Sequence, residues 1–260
     1  MACRLKLKNT RKAVQIGVEE MKRNNIIDRE LQAILKPLCI MDSIFMCAKT
    51  KIRCDVITIN SKRYRVVSFV VTLLRLIFCL YSSSLSYTHV SFYTDSGLLR
   101  FGITYEISYF VTSCYLHYFT NLINEHSNVA LCLTIQKVYR NLKVKGKKYI
   151  VIHWFWVIIV NCYYFMFLYY FHTFYTIEYI SISLAIYFYI SDDVNIIYVT
   201  SLLKMLRDCL NIWSQNVRRS RYLRGSNFEL YWENMFEVFM DIFRAYQLLE
   251  KTSQIQVRII

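Results

Sequence analysis

The sequence predicts an all-α, polytopic helical membrane protein with four spans, a cytosolic N-terminus and cytosolic C-terminal helices. Three observations carry this fold class. Of the 260 residues, 55% are apolar, yet there are one proline and five glycines. That is more apolar surface than a soluble core needs and little turn chemistry. The apolar residues gather into four runs of about 20 residues, the length that crosses roughly 30 Å of hydrocarbon as a helix. Finally, lysine and arginine alternate by segment between those runs. Such hydrophobicity excludes a disordered chain, and the length excludes a small secreted disulfide scaffold.

The chain opens with a basic segment, residues 1–65, expected to be cytosolic. It has no long apolar core of the kind a cleavable signal needs. Within it the run 39–48, CIMDSIFMCA, is about half a span and contains Asp42. It is expected to pack on other cytosolic helices, with a place at the membrane surface as the alternative. The bundle follows at 66–203, its spans at about 66–84, 101–119, 149–171 and 174–193, with a cytosolic loop at 120–148. None of the runs alternates apolar with polar residues as barrel strands do. Residues 204–260 form a cytosolic helical segment.

Charge orients the bundle. Lysine and arginine number 15 in residues 1–65, none in 85–98, six in 121–148, none in 172–178 and nine in 204–260. The positive-inside rule puts the first, third and fifth of these segments in the cytosol. The formal charge of +14 therefore reads as topology; a nucleic-acid patch has no reason to sort by membrane side. Trp154 and Trp156 follow Lys147 and Lys148, where an aromatic belt is expected. All nine cysteines fall in cytosolic or membrane segments, so reduced thiols are expected.

Some residues are expensive inside a membrane. Arg75 lies near the middle of the first span, at about 2.5–3.5 kcal/mol on insertion scales. Glu106 lies about five residues, or roughly 8 Å, below the outer end of the second. One reading is a structural intramembrane pair, Arg75–Glu106; the other has Arg75 snorkelling and Glu106 meeting water in an outward cavity. Asp192 and Asp193 interrupt the fourth run and are expected at its cytosolic boundary, a mid-membrane ion site being the costlier alternative. Aromatics toward the outer leaflet offer a pocket for semi-polar molecules: Tyr105, Glu106, Tyr109, Tyr163, Tyr164 and Tyr187 are the candidate ligand-binding residues. Interfacial belts and helix packing are the bland account of the same tyrosines.

Residues 226–252 read as one helix, capped by Ser226 or Asn227. Trp232, Met235, Phe239, Ile242, Tyr246 and Leu249 step by three and four and form a candidate oligomer or anchor seam, to be covered from within the chain or by another subunit. No phosphate loop, nucleophile elbow, HExxH, paired CxxC or dinucleotide turn occurs, and the five histidines show no ligand spacing. An enzyme is not expected, nor a catalytic residue, cofactor or metal.

The basic leader into LKPLCIMDSIFMCAKTKIR, the segment DVNIIYVTSLLKMLRDCLNIW and the segment WENMFEVFMDIFRAYQLLEKTSQIQ resemble insect gustatory receptors of the expanded lepidopteran type. The likeness is spread over nearly the whole chain without a sharp motif. It implies a taste receptor in the plasma membrane, a subunit of a seven-span, tetrameric, ligand-gated cation channel. It further implies a small-molecule tastant bound in the outer half of the bundle and cytosolic helices anchoring homo- or hetero-tetramers. The likeness covers four spans and the start of the anchor; the last three spans and the C-terminal Thr-Tyr and Gln-Phe signature have no counterpart, so a partial chain is expected. A multi-pass transporter, or a non-conducting receptor fragment acting by association, are the alternatives. The partners expected are the tastant, membrane lipids and sister subunits, and no nucleic acid.

Overall fold

The computed structural model describes residues 25–45, 48–53, 55–93, 97–144, 146–174, 180–220 and 228–257. Within α2, α3, α5, α6 and α7, defined below, some positions are described by backbone alone. Among the described residues seven helices dominate: α1 Arg29–Ile44, α2 Lys62–Tyr93, α3 Gly97–Ile123, α4 Glu125–Leu142, α5 Lys147–Phe174, α6 Ile180–Ser220 and α7 Phe228–Val257. The all-α expectation holds, and each of the four apolar runs lies in or overlaps a helix that outlasts it: α2, α3, α5 and α6. At 41 residues α6 extends about 62 Å and carries the chain through Asp192 and Asp193 without a break.

Two features were not expected from the sequence. One is a small antiparallel hairpin, β1 Lys51–Arg53 and β2 Val56–Thr58, pairing Lys51 with Thr58, Ile52 with Ile57 and Arg53 with Val56. Asp55 turns it at φ 61°, a left-handed position that short polar Asp tolerates. Ile26 bridges Val56, and the Ile27 N–H donates to the Asp55 carbonyl, so the chain before α1 lines the hairpin's edge. The other is α4, an 18-residue helix filling what the sequence suggested only as a connecting loop, 120–148. Glu125 complements its N-terminal dipole and Arg140 its C-terminal end. It stops in a Schellman turn: Lys143 is left-handed at φ 50°, its N–H meets the Arg140 carbonyl, and the Val144 N–H meets that of Tyr139.

The packed core sits at one end of the molecule. It is made by α1, α4, the start of α5, the second half of α6, and α7, with Leu38, Met41, Phe45, Leu131, Ile135, Leu202, Met205 and Ala245 fully enclosed. Of the run at 39–48, Met41 and Phe45 are buried in this core. Gln136 locks the core's edge: its Oε1 accepts the Asp28 N–H and its Nε2 donates to the Ile26 carbonyl. Arg140 forks onto both oxygens of Asp28 at 2.6 Å.

The remainder of the described side chains exposes apolar surface. Val66, Phe69, Val70, Leu74 and Ile77 on α2, and Phe155, Ile158, Phe165 and Met166 on α5, all face outward. Among the described residues one stretch, Lys147–Tyr170, is long and apolar enough to cross a membrane, and 11% of its most apolar window is buried.

The burial stripe of α7 coincides with the expected seam at five of six positions and departs from it at Tyr246. Ile242 and Leu249 are buried and Trp232, Met235 and Phe239 half-buried, but Tyr246 is exposed. The enclosed positions are Val238, Asp241, Ile242, Ala245, Leu249, Thr252 and Ser253. The departure arises because α4 and α6 cover α7 from within the chain. Ala245, which has almost no side chain to accommodate, fits that close approach better than Tyr246 does.

Candidate functional site

The most elaborate polar arrangement lies where α1, the hairpin, α2 and α6 converge. It begins with the single proline. Pro37 sits inside α1; it has no N–H for the Ala33 carbonyl, and its ring crowds that turn. The next carbonyl, Ile34, is taken by the ring of His153 from α5, whose Nδ1 lies 2.8 Å away. The proton that makes this contact a hydrogen bond must then sit on Nδ1. One turn further the Ser43 hydroxyl donates to the Cys39 carbonyl, and Arg75 of α2 donates from Nη2 to the Phe45 carbonyl at the end of α1. Arg75 is buried, with its guanidinium held inside the protein.

Beyond α1 the chain turns through Lys49, whose side chain is enclosed. Its ammonium donates to Asn195 Oδ1 and stands 3.7 Å from the centre of the Tyr198 ring, a cation–π contact strengthened by exclusion of water. Both partners belong to α6, two and five residues past Asp193. Cys39, Cys132 and Asp42 complete the cluster. Burial pushes both thiols up, Cys132 to about 12, and lifts the Tyr198 phenol well above its ordinary range. Asp42 adds to the rise at Cys39 and Tyr198. These thiols are protonated at neutral pH and poor nucleophiles.

Beside the cluster lies a cavity of about 570 Å³, walled by α1, the hairpin and the first turn of α2, a size typical of small-molecule sites. Asn60 and Tyr64 fix its rim by clasping Ala48: the Asn60 amide donates to the Ala48 carbonyl, and the Ala48 N–H donates to the Tyr64 hydroxyl. Lys36 and Lys51 line it, and no carboxylate does so among the described residues.

The residues singled out from the sequence lie elsewhere. Tyr105 and Tyr163 are more than 60% exposed, Tyr109 and Tyr164 are half-buried, and the Tyr164 ring centre is 5.9 Å from that of Phe165. None of these four lines the cavity. The side chains of Glu106 and Tyr187, and with Glu106 the pair to Arg75, lie outside the described residues. Sequence reasoning missed the Lys49 cluster because it joins residues 146 positions apart, and the cavity because its lining comes from three separate elements between Gln32 and Tyr64. Their only local traces are the proline at 37 and the flanking lysines at 36, 49 and 51.

Comparison with protein-family models, curated proteins and solved structures finds no match to this chain.

Proposed function

We propose that the chain is part of a polytopic membrane receptor of the gustatory type, a subunit of a ligand-gated cation channel with its N-terminus in the cytosol of the sensory cell. The observation that carries the membrane part is a coincidence of two independent partitions. Most of the enclosed core residues fall in the segments where lysine and arginine concentrate, the exceptions being Tyr149, Val157, Val194, Tyr198 and Leu202. The exposed large apolar side chains of α2 and α5 fall largely in the segments where those charges are almost absent. Water would penalise each exposed apolar side chain; lipid does not. The four spans, the outward loops at 85–98 and 172–178, and the tyrosine-rich outer pocket belong to this reading. The receptor part rests on the resemblance of the segments at 35–53, 193–213 and 232–256 to insect gustatory receptors.

Glycosylation acceptors test the topology. Asn-x-Thr sequences inserted near Asp95 and near Glu178 should be modified in microsomes, and one inserted in 121–148 should not; modification of the third site alone would overturn the orientation. Receptor function is tested by expressing the open reading frame that contains this chain and recording stimulus-evoked cation currents across a tastant panel. Absence of current for the intact reading frame, with protein at the cell surface, would remove the channel reading.

A further inference from the structure

We propose that the cavity between α1, the hairpin and α2 binds the phosphate-bearing headgroup of an anionic phospholipid. The lining is built for an anion with an apolar extension. Lys36 and Lys51 supply two ammonium groups, and no ion pair occupies either among the described residues. With no carboxylate in the described lining, the local potential is positive. Gln32 adds a neutral hydrogen-bonding group. Ile40, Ile44 and Ile52 supply an apolar side, and Ile44 is itself 42% exposed.

The walls are fixed, which distinguishes the site from two loose surface lysines. The Asn60 and Tyr64 clasp on Ala48 holds the rim. Directly behind it, the enclosed Lys49 ammonium is held by Asn195 and Tyr198 of α6. A bound anion would therefore rest against a segment that is tied to α6, while Tyr64 places the rim within the first turn of α2, where the first apolar run begins. The choice of a lipid source rests on the membrane reading above, in which this end of α2 lies at the cytosolic leaflet, the leaflet rich in anionic lipid. The phosphate chemistry of the site rests on the cavity alone.

The test uses the full chain purified into detergent and into nanodiscs of phosphatidylcholine with or without phosphatidylinositol phosphate. Retained lipid is counted by native mass spectrometry, and thermal unfolding is followed in parallel. The wild type should retain the anionic lipid selectively. Lys36→Gln with Lys51→Gln should weaken retention by roughly twenty-five-fold, about fivefold for each lysine beside an anionic surface. Ile40→Trp, which fills the cavity and leaves both lysines, should weaken it as well. Lys62→Gln with Arg63→Gln, exposed cations outside the lining, should leave retention within about twofold. Equal retention by wild type and the Lys36/Lys51 double variant, or equal losses in both double variants, would overturn the site.

Inorganic phosphate and glycerol phosphate form the second arm. Stabilisation by either, lost in the Lys36/Lys51 variant and matching that given by lipid, would overturn the lipid source while supporting the phosphate site. Carbonate extraction of the wild-type chain from membranes separates the underlying reading: a chain released by carbonate fails as a membrane protein, and the soluble-phosphate arm still reads the cavity.

Discussion

Lys143 stands at the left-handed position that closes α4, where glycine is the usual occupant. A side chain there strains the backbone by about 1–2 kcal/mol. Lys143→Gly should therefore raise the thermal midpoint, with a gain of about 1 kcal/mol once the greater freedom of unfolded glycine is subtracted. A lowered midpoint would mean that the lysine makes a compensating contact. Gly146, three residues on, is the opposite case. A Cβ built there would stand 2.4 Å from the Ile34 Cδ1 and 3.1 Å from the Glu30 carboxylate, and that carboxylate already accepts the Gly146 N–H at 2.8 Å. Ile34 is enclosed and has little room to move. Gly146→Val should cost about 1–3 kcal/mol as overpacking, read as a lowered midpoint in detergent; an unchanged midpoint would show that α1 and the α4–α5 connection separate freely.

At the scale of the element, the stripe of α7 makes a sharp prediction. Ala245→Leu pushes into α4 and α6 and should destabilise by about 1–3 kcal/mol. Tyr246→Ala, on the exposed side, should stay within about 0.5 kcal/mol in the isolated chain. The reverse order would restore Tyr246 to the seam read from the sequence. Lys137 of α4 reaches the enclosed Asp241 of α7 at 2.8 Å, which fixes the register of this helix pair as well as its face. The α5–α6 contact carries a similar tie: Lys148 and the Tyr149 hydroxyl both donate to Asp208.

For the whole molecule, these ties set the response to acid. Arg140 holds Asp28 below its ordinary range, chiefly through the forked hydrogen bond, and Lys148 followed by Tyr149 does the same for Asp208. A carboxyl whose folded value lies below its unfolded one contributes stability that is complete above the unfolded value, near 3.9, and disappears as pH falls through the folded one. The thermal midpoint should be flat from about pH 7 to 5 as far as these two groups are concerned and drop below about pH 4, with each pair contributing under about 1 kcal/mol because its cation is largely exposed. Asp28→Asn with Asp208→Asn should flatten the acid limb; an unaltered limb would show that other carboxyls govern it.

The helical class, the positions of the long helices and the expectation of apolar surface in excess of a core were legible because each depends on local composition. Four apolar runs without interior proline have few alternatives to helix. The charge partition was legible for the same reason, since it is a sum over segments. Sequence also anticipated a helix near 226–252, and five of its six seam positions are buried or half-buried; Tyr246 of the six is exposed while Ala245 beside it is enclosed, because only the approach of α4 and α6 selects between neighbouring positions on one helix. The hairpin, the helix hidden in 120–148, the hold of Arg75 on the Phe45 carbonyl and the Lys49–Asn195–Tyr198 cluster were decided by tertiary structure alone. The last two join residues 30 and 146 positions apart, and the partner of a buried polar group is set by which helix packs beside it.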